Sequence, residues 1–394
     1  MTQTSPSPAE QPPLLLHNGT IHSTAEPYAE AMLVRDGQVA WLGSEETADQ
    51  LSLQEGTLRQ DLDRALVTPA FVGMVGLDAQ QAAAATVAEV LDVAAGRLGC
   101  GAVRLRITIG VEDLSGEGAQ QVQSLLHPAL RAAADHPVDV WPVIALRGVA
   151  ADGGAPSISP VNTALDLLDG LDDLGRPVAL CLTFSEVLAN LLGARSWCAE
   201  AGRQLLIDCA DQDPGAVVDA MATTQKHLRE LKQTPSPATP TVLVGFDSAE
   251  QQHWEQLLST GAHVLLTSPG HLAAALRVGV PTAAAPAEGE NPWALVSAHV
   301  HHPEDPVSVR AGFNAQTRSA YRSLPGAAAD AGQLNPGATA TFALWEADQL
   351  AVQTPNSTVA AWSTDTRART PLLPYLDGVT NPLLKSTVIA GERL

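Results

Sequence analysis

Carboxylates gather where a chain of repeated strand and helix units would place its chemistry. Asp78, Asp208, Asp211 and Asp247 each fall at or just past the end of an apolar run that reads as a strand, and Glu288 and Glu290 follow the last such run. In a barrel of parallel strands those ends surround one mouth. A ring of carboxylates there can do general acid and base work, or bind a cationic ligand, provided that burial separates their pKa values. The same residue types also solvate loops and cap helices, and Asp247-Ser248 stands just ahead of a helical stretch, where Asp is a favourable N-cap.

Four other groups have chemical potential. Arg104 and Arg106 alternate within one strand, so both can face the same side of its wall, to bind an anion or to pair with the carboxylates. Ser268-Pro269-Gly270-His271 offers a hydroxyl and an imidazole, but without a G-x-S-x-G elbow it reads as a turn and a helix start, with His271 kept as a ligand-binding candidate. Cys209 is a thiol beside Asp208, and a small buried residue at a strand end is the commoner case. His299-Val300-His301-His302 is the most metal-like string, with His299 and His302 on one helical face.

The elements that must position these residues follow from periodicity. Between residues 14 and 67 short apolar alternations are broken by Asn18-Gly19 and Asp36-Gly37, both strong hairpin signals. From Pro69 onward apolar runs alternate with Ala- and Leu-rich helical stretches, the pattern of repeated βα units. Eight runs read as strands: 71–77, 102–107, 138–146, 178–183, 204–208, 241–246, 263–267 and 281–285. Eight suggests a closed barrel. After about Leu324 the chain returns to β hairpins with Gly and Pro turns, and residues 354–380 form a Pro-, Thr- and Asn-rich loop without periodicity.

Composition narrows the function classes. The 394 residues are 45% hydrophobic but only 4% aromatic, so Ala, Leu and Val must fill the core in many small contacts. A formal net charge of −21, from 43 acidic and 22 basic residues, disfavours nucleic acid and anionic membrane surfaces as partners. Cys100, Cys181, Cys198 and Cys209 form no C-x-x-C pair and suggest neither a zinc cage nor a disulfide framework. With no signal segment and no apolar run of spanning length, a cytoplasmic location is expected, behind a disordered lead-in over residues 1–12.

Several segments, in order along the chain, resemble the amidohydrolase superfamily, in particular its exoenzyme-type, YtcJ-like branch. LLLHNGTIHS and AEAMLVRDGQVAWLGSEETADQL are similar to the opening of that family, and GRQLLIDCADQDPGAVVDAM to its fifth-strand segment. TVLVGFDSAEQQHWEQLLSTGAHVLLTSP, GVPTAAAPAEGENPWALVSAHVHH, LNPGATATFALWEADQL and TVIAGERL resemble its later barrel and its closing β strands. The resemblance implies an α/β fold: a TIM-like (β/α)8 barrel, distorted or regular, over residues 69–325, and a β-sandwich assembled from residues 13–68 and 326–394. It also implies a homodimer.

What the resemblance implies for chemistry is loss. The family's two strand-one histidines fall on Val75 and Leu77, its strand-five histidine on Asp208, its strand-six histidine on Phe246, and its strand-eight aspartate near Ala287. The family's bridging lysine falls near Ala179. A catalytic ion needs imidazoles and carboxylates at the strand ends to make hydroxide near neutral pH, and these replacements remove them. The histidine string matches the family's outer helix, so a solvated face is expected there. The leading expectation is therefore an amidohydrolase-like protein without cofactor, hydrolysis lost, that binds a small molecule or a protein through a pocket lined by Val75, Leu77 and Phe246, with Asp78, Asp247 and His271 as further ligand contacts. The alternative is an active hydrolase of non-peptide carbon-nitrogen bonds, working through Asp208 as its catalytic group or through a divalent metal such as zinc on ligands placed elsewhere.

Overall fold

The computed structural model describes residues 12–51, 56–114, 117–148, 176–286, 288–354, 362–363 and 370–394. Most of the lead-in and Ala287 lie outside them, as does part of the loop at 354–380. The first six strands are β1 (Leu14–His17), β2 (Thr20–Ile21), β3 (Ala31–Arg35), β4 (Gln38–Gly43), β5 (Leu58–Asp61) and β6 (Leu66–Pro69). A four-stranded sheet takes the order β4-β3-β1-β5. Its hairpin between β3 and β4 turns at Asp36 and Gly37, both at positive φ (51° and 71°), as a tight two-residue turn needs. A Cβ at Gly37 would come within 2.7 Å of the Ala390 carbonyl oxygen, so this turn also has no room for a side chain.

Eight parallel strands follow: β7 (Phe71–Asp78), β8 (Cys100–Gly110), β9 (Asp139–Arg147), β10 (Ala179–Thr183), β11 (Leu205–Asp208), β12 (Val242–Val244), β13 (His263–Leu266) and β14 (Thr282–Ala284). They pair in chain order, with β7 and β14 at the two ends of the ladder, and the predicted runs coincide with them to within about three residues at each end. The fold is a TIM-like α/β barrel. Helices fill the connections, and their starts are written locally. Helix Pro214–Leu231, for example, has proline in its first turn and the Asp213 carboxylate accepting from the Ala216 N–H at 2.9 Å.

The chain ends in β15 (Phe342–Glu346), β16 (Leu350–Gln353), β17 (Trp362–Ser363), β18 (Leu373–Pro374), β19 (Leu383–Ile389) and β20 (Glu392–Arg393). β15 pairs antiparallel with β6 on one side and β19 on the other, giving a five-stranded sheet, β2-β6-β15-β19-β20, drawn from both ends of the chain.

Two apolar layers sandwich the barrel wall. Outside it, strands and helices share a core that includes Phe71, Val75, Leu77, Leu105, Ile107, Phe246 and Trp254. Inside it, small side chains such as Ala102, Val143, Ala145, Ala179 and Cys181 meet Tyr321 and Leu324, which close the floor. Four of the few aromatic rings gather in one place. Phe71, Trp293, Phe313 and Trp345 form one cluster with centroids 5.3–5.8 Å apart, joining the first barrel strand to the terminal sheet.

Candidate functional site

The side-chain alternation of β8 defines which residues face the barrel interior. Arg106 reaches across the interior to Asp208 on β11, Nη1 to Oδ2 at 3.3 Å, so Arg104 and Arg106 point inward and Leu105 and Ile107 outward. In the parallel register Val75 lies opposite Leu105 and Leu77 opposite Ile107, whereas Met74, Gly76 and Asp78 lie opposite Arg104, Arg106 and Thr108. The inward positions of the first strand are therefore Met74, Gly76 and Asp78.

This corrects the expected pocket lining. Val75 and Leu77 are buried against helices, not at the mouth. Phe246 is likewise outside the wall, its ring edge-on to Trp254 of the following helix at 5.5 Å. A resemblance between segments places residues near a strand end, but a shift of one residue exchanges the two faces. Ala179, by contrast, faces the interior.

Around the mouth the structure brings together Arg106, Asp208, Gly76, Glu288 and Cys181. The Glu288 carboxylate accepts from the Gly76 N–H at 3.3 Å, and the space a Cβ at Gly76 would enter is bounded by Glu288 Oε2 at 3.8 Å and Arg106 Nε at 4.0 Å. The absence of a side chain at Gly76 thus lets a carboxylate and a guanidinium approach the same backbone. Asp208 is fixed twice: its Oδ1 accepts from the Ala210 N–H at 3.1 Å while Oδ2 faces Arg106. Both charged side chains remain partly exposed, at 27% and 29%. Beside them the buried Cys181 thiol is pushed up to about 12, chiefly by desolvation. Cys209 is also buried, with its Sγ donating to the Ile207 carbonyl and desolvation raising its pKa, which suits a packed residue and not a nucleophile.

Among the described residues the other candidates make no hydrogen bond or ion pair with Arg106 or Asp208. Asp247 bridges two strand ends, its carboxylate accepting from the Thr267 N–H at 2.9 Å and the Thr267 hydroxyl at 3.0 Å. The expected helix-capping role belongs instead to Glu250, in a capping box with His253. His271 packs edge-on to His302 at 5.2 Å. Asp78 is exposed at the end of β7, ahead of a short 3-10 turn, and makes no capping bond there. His299, expected on a solvated face, is only 1% exposed. Its Nδ1 bonds the Leu295 carbonyl and burial lowers its pKa to about 4.

One layer below the mouth is a network that sequence reasoning did not resolve. Arg104, 2% exposed, donates to Gln204 Oε1 at 2.9 Å, to the Ser323 carbonyl at 2.7 Å and to the Ser323 hydroxyl at 2.9 Å. Burial lowers its pKa to about 10. The alternation of Arg104 with Arg106 signalled two guanidiniums on one side of the wall; which side it is, and their partners 100 or more residues away in the chain, left no local signal.

Among the described residues no group of three or more His, Cys, Asp or Glu converges to hold a divalent ion. Asp208, in the strand-five place, is turned toward a guanidinium that would repel a dication, and burial keeps the adjacent thiol protonated. Nor is any helix among the described residues long and apolar enough to cross a membrane.

By sequence the chain matches no protein-family model and no curated protein. By structure it is similar over its whole length to solved proteins. N-isopropylammelide isopropylaminohydrolase from Burkholderia multivorans superposes with a TM-score of 0.63 at 15% identity, covering 97% of this chain and 98% of that one. Guanine deaminase from E. coli gives 0.61 at 14% identity, with the same coverages. An adenosine deaminase from Xanthomonas campestris with bound zinc gives 0.63 at 12% identity, covering 98% and 93%. The chain has the fold of these amidohydrolases, a barrel joined to a β unit drawn from both ends of the sequence.

Proposed function

We propose that this protein binds a small neutral molecule with an amide-like edge at the carboxyl end of its barrel, without metal-dependent hydrolysis. The observation that carries the reading is the Arg106–Asp208 pair. A guanidinium and a carboxylate held side by side offer donors next to acceptors, which matches the acceptor and donor edge of an amide, a ureide or a heterocyclic lactam. Gly76 leaves room for such an edge, and Glu288, bonded to the Gly76 N–H from an exposed position, covers the place where a ligand would enter. The proteins of similar fold act, by their names, on nitrogen heterocycles or their substituents, which favours that ligand class for this site as well.

The positive charge of Arg106 takes the electrostatic place of a metal dication but not its chemistry. A guanidinium has a pKa above 12 and so generates no hydroxide from water near neutral pH. Binding without turnover is the consequence. A second reading, an active hydrolase with Asp208 as general base, draws on the inward placement and partial exposure of that carboxylate.

The test combines three measurements on protein purified without a histidine tag: metal content, thermal stabilisation by guanine and melamine, and ammonia release from both with and without added zinc. The proposal expects less than about a tenth of an equivalent of metal, stabilisation that disappears in Arg106→Gln and Asp208→Asn, and no ammonia. Ammonia release lost in Asp208→Asn establishes the second reading. Metal near one equivalent overturns both.

A further inference from the structure

A large cavity lies at the opposite end of the barrel from the mouth. It has a volume of about 910 Å³ and opens among the first residues of β8 and β9, the residues just before β10, and the floor formed by Tyr321 and Leu324. That volume falls within the range of small-molecule pockets.

Its wall contains a clamp already closed on a cation. The Arg176 guanidinium lies over the Trp141 ring, 4.3 Å from the centroid, and is paired with the Asp139 carboxylate. The other oxygen of Asp139 accepts from the Trp141 Nε1–H at 3.1 Å, which fixes the carboxylate against the edge of the ring. Aromatic face and carboxylate are thus preorganised to hold a flat cation, with the Tyr321 phenol and the apolar Leu324 and Ile389 in the space alongside. Arg176 itself is loosely held: its side chain is 42% exposed, and an exposed ion pair contributes little to stability. The cavity beside the guanidinium is left unfilled by it, since Arg176 forms part of the wall.

We propose that this amino-end cavity is a binding site for planar organic cations, aryl amidines or aryl guanidines, which displace Arg176 from Trp141 and Asp139 and place their aromatic body against Tyr321 and Leu324. Arg176 acts as an internal competitor that keeps the clamp occupied when no ligand is present. The site is independent of the carboxyl mouth and of any reaction there.

The probe is benzamidine, with neutral benzamide as its isosteric control, measured by titration calorimetry on the full chain. Arg176→Ala is expected to bind benzamidine at least ~10-fold more tightly than the wild type, because the internal competitor is gone. Asp139→Asn in the Arg176→Ala background is expected to abolish that gain, Asp208→Asn is expected to leave it unchanged, and benzamide is expected not to bind. Thermal melting establishes that each variant is folded, and the benzamide comparison requires no further substitution. The proposal is overturned if Arg176→Ala binds benzamidine no better than the wild type, if benzamide binds equally well, or if Asp208→Asn rather than Asp139→Asn removes binding.

Discussion

Arg104 and Arg106 leave β8 on the same face, two residues apart, one toward the barrel floor and the other toward its mouth. The lower guanidinium is sealed from water and bonded only to neutral groups, Gln204 and Ser323. The upper one is partly wet and faces the carboxylate of Asp208. The lower arrangement ties β8 to β11 and to the segment that closes the floor, so its role is structural. The upper has spare donors, a stretch of backbone without a side chain at Gly76 that the exposed Glu288 covers, and a partner fixed by its own backbone, the features on which the proposed binding rests. The same side chain is thus committed to the scaffold at one depth and left partly exposed beside a carboxylate two residues further along.

The sharpest way to break this comparison begins with the wall that carries both residues. Val75→His with Leu77→His inserts two imidazoles into the outer core and is expected to destabilise the protein by about 4 kcal/mol or more, without zinc uptake. Urea unfolding and metal analysis check this, and a stable double variant holding zinc would mean that both positions face the mouth. Arg104→Ala leaves a void and strands the groups around Gln204 and Ser323. The expected loss is about 3–5 kcal/mol in the same unfolding measurement.

Next in size is a pH effect located away from both guanidiniums. His22 and His299 are buried, and desolvation lowers each folded-state pKa from 6.5 to about 4. The unfolded chain therefore binds more protons than the folded one between those values, and stability is lost as pH falls from 6.5 toward 4. Between pH 7 and pH 5.5 the expected loss is roughly 2–3 kcal/mol for the two groups together, seen as a lower denaturation midpoint. The smallest effect belongs to the mouth: Asp208→Asn is expected to change stability by at most about 1 kcal/mol, because the pair is partly exposed, while removing the response to guanine and melamine.

The sequence carried the barrel well and the site unevenly. Apolar runs separated by helical stretches located all eight strands, and the spacing of Arg104 and Arg106 put two cations on the same side of the wall, because period-two geometry is local. Placing Asp208 at a strand end was similarly direct. Which way Val75, Leu77 and Phe246 point was not legible, since facing depends on how β7 registers against β8 and where the chain bends after β12, at Gly245 with φ of 70°. The burial of His299 was hidden for a related reason: helix Pro292–Val300 is buried on most of its surface, so a polar residue in it carries no sign of its surroundings. The amino-end cavity was beyond reach, being assembled from β9, the approach to β10 and the floor around Tyr321, segments distant in the chain that meet only in the folded barrel.

The four cysteines, all free and all buried, make the barrel its own opening clock. Cys100 begins β8 near the floor, Cys181 lies in β10, Cys198 is in the flanking helix Leu191–Glu200, and Cys209 follows β11 at the mouth. Since none meets solvent in the closed fold, each thiol reacts with an aqueous disulfide reagent only during a local or global opening. The order in which the four become modified therefore ranks the openings of floor, wall and mouth in a single unmodified chain, with no label introduced.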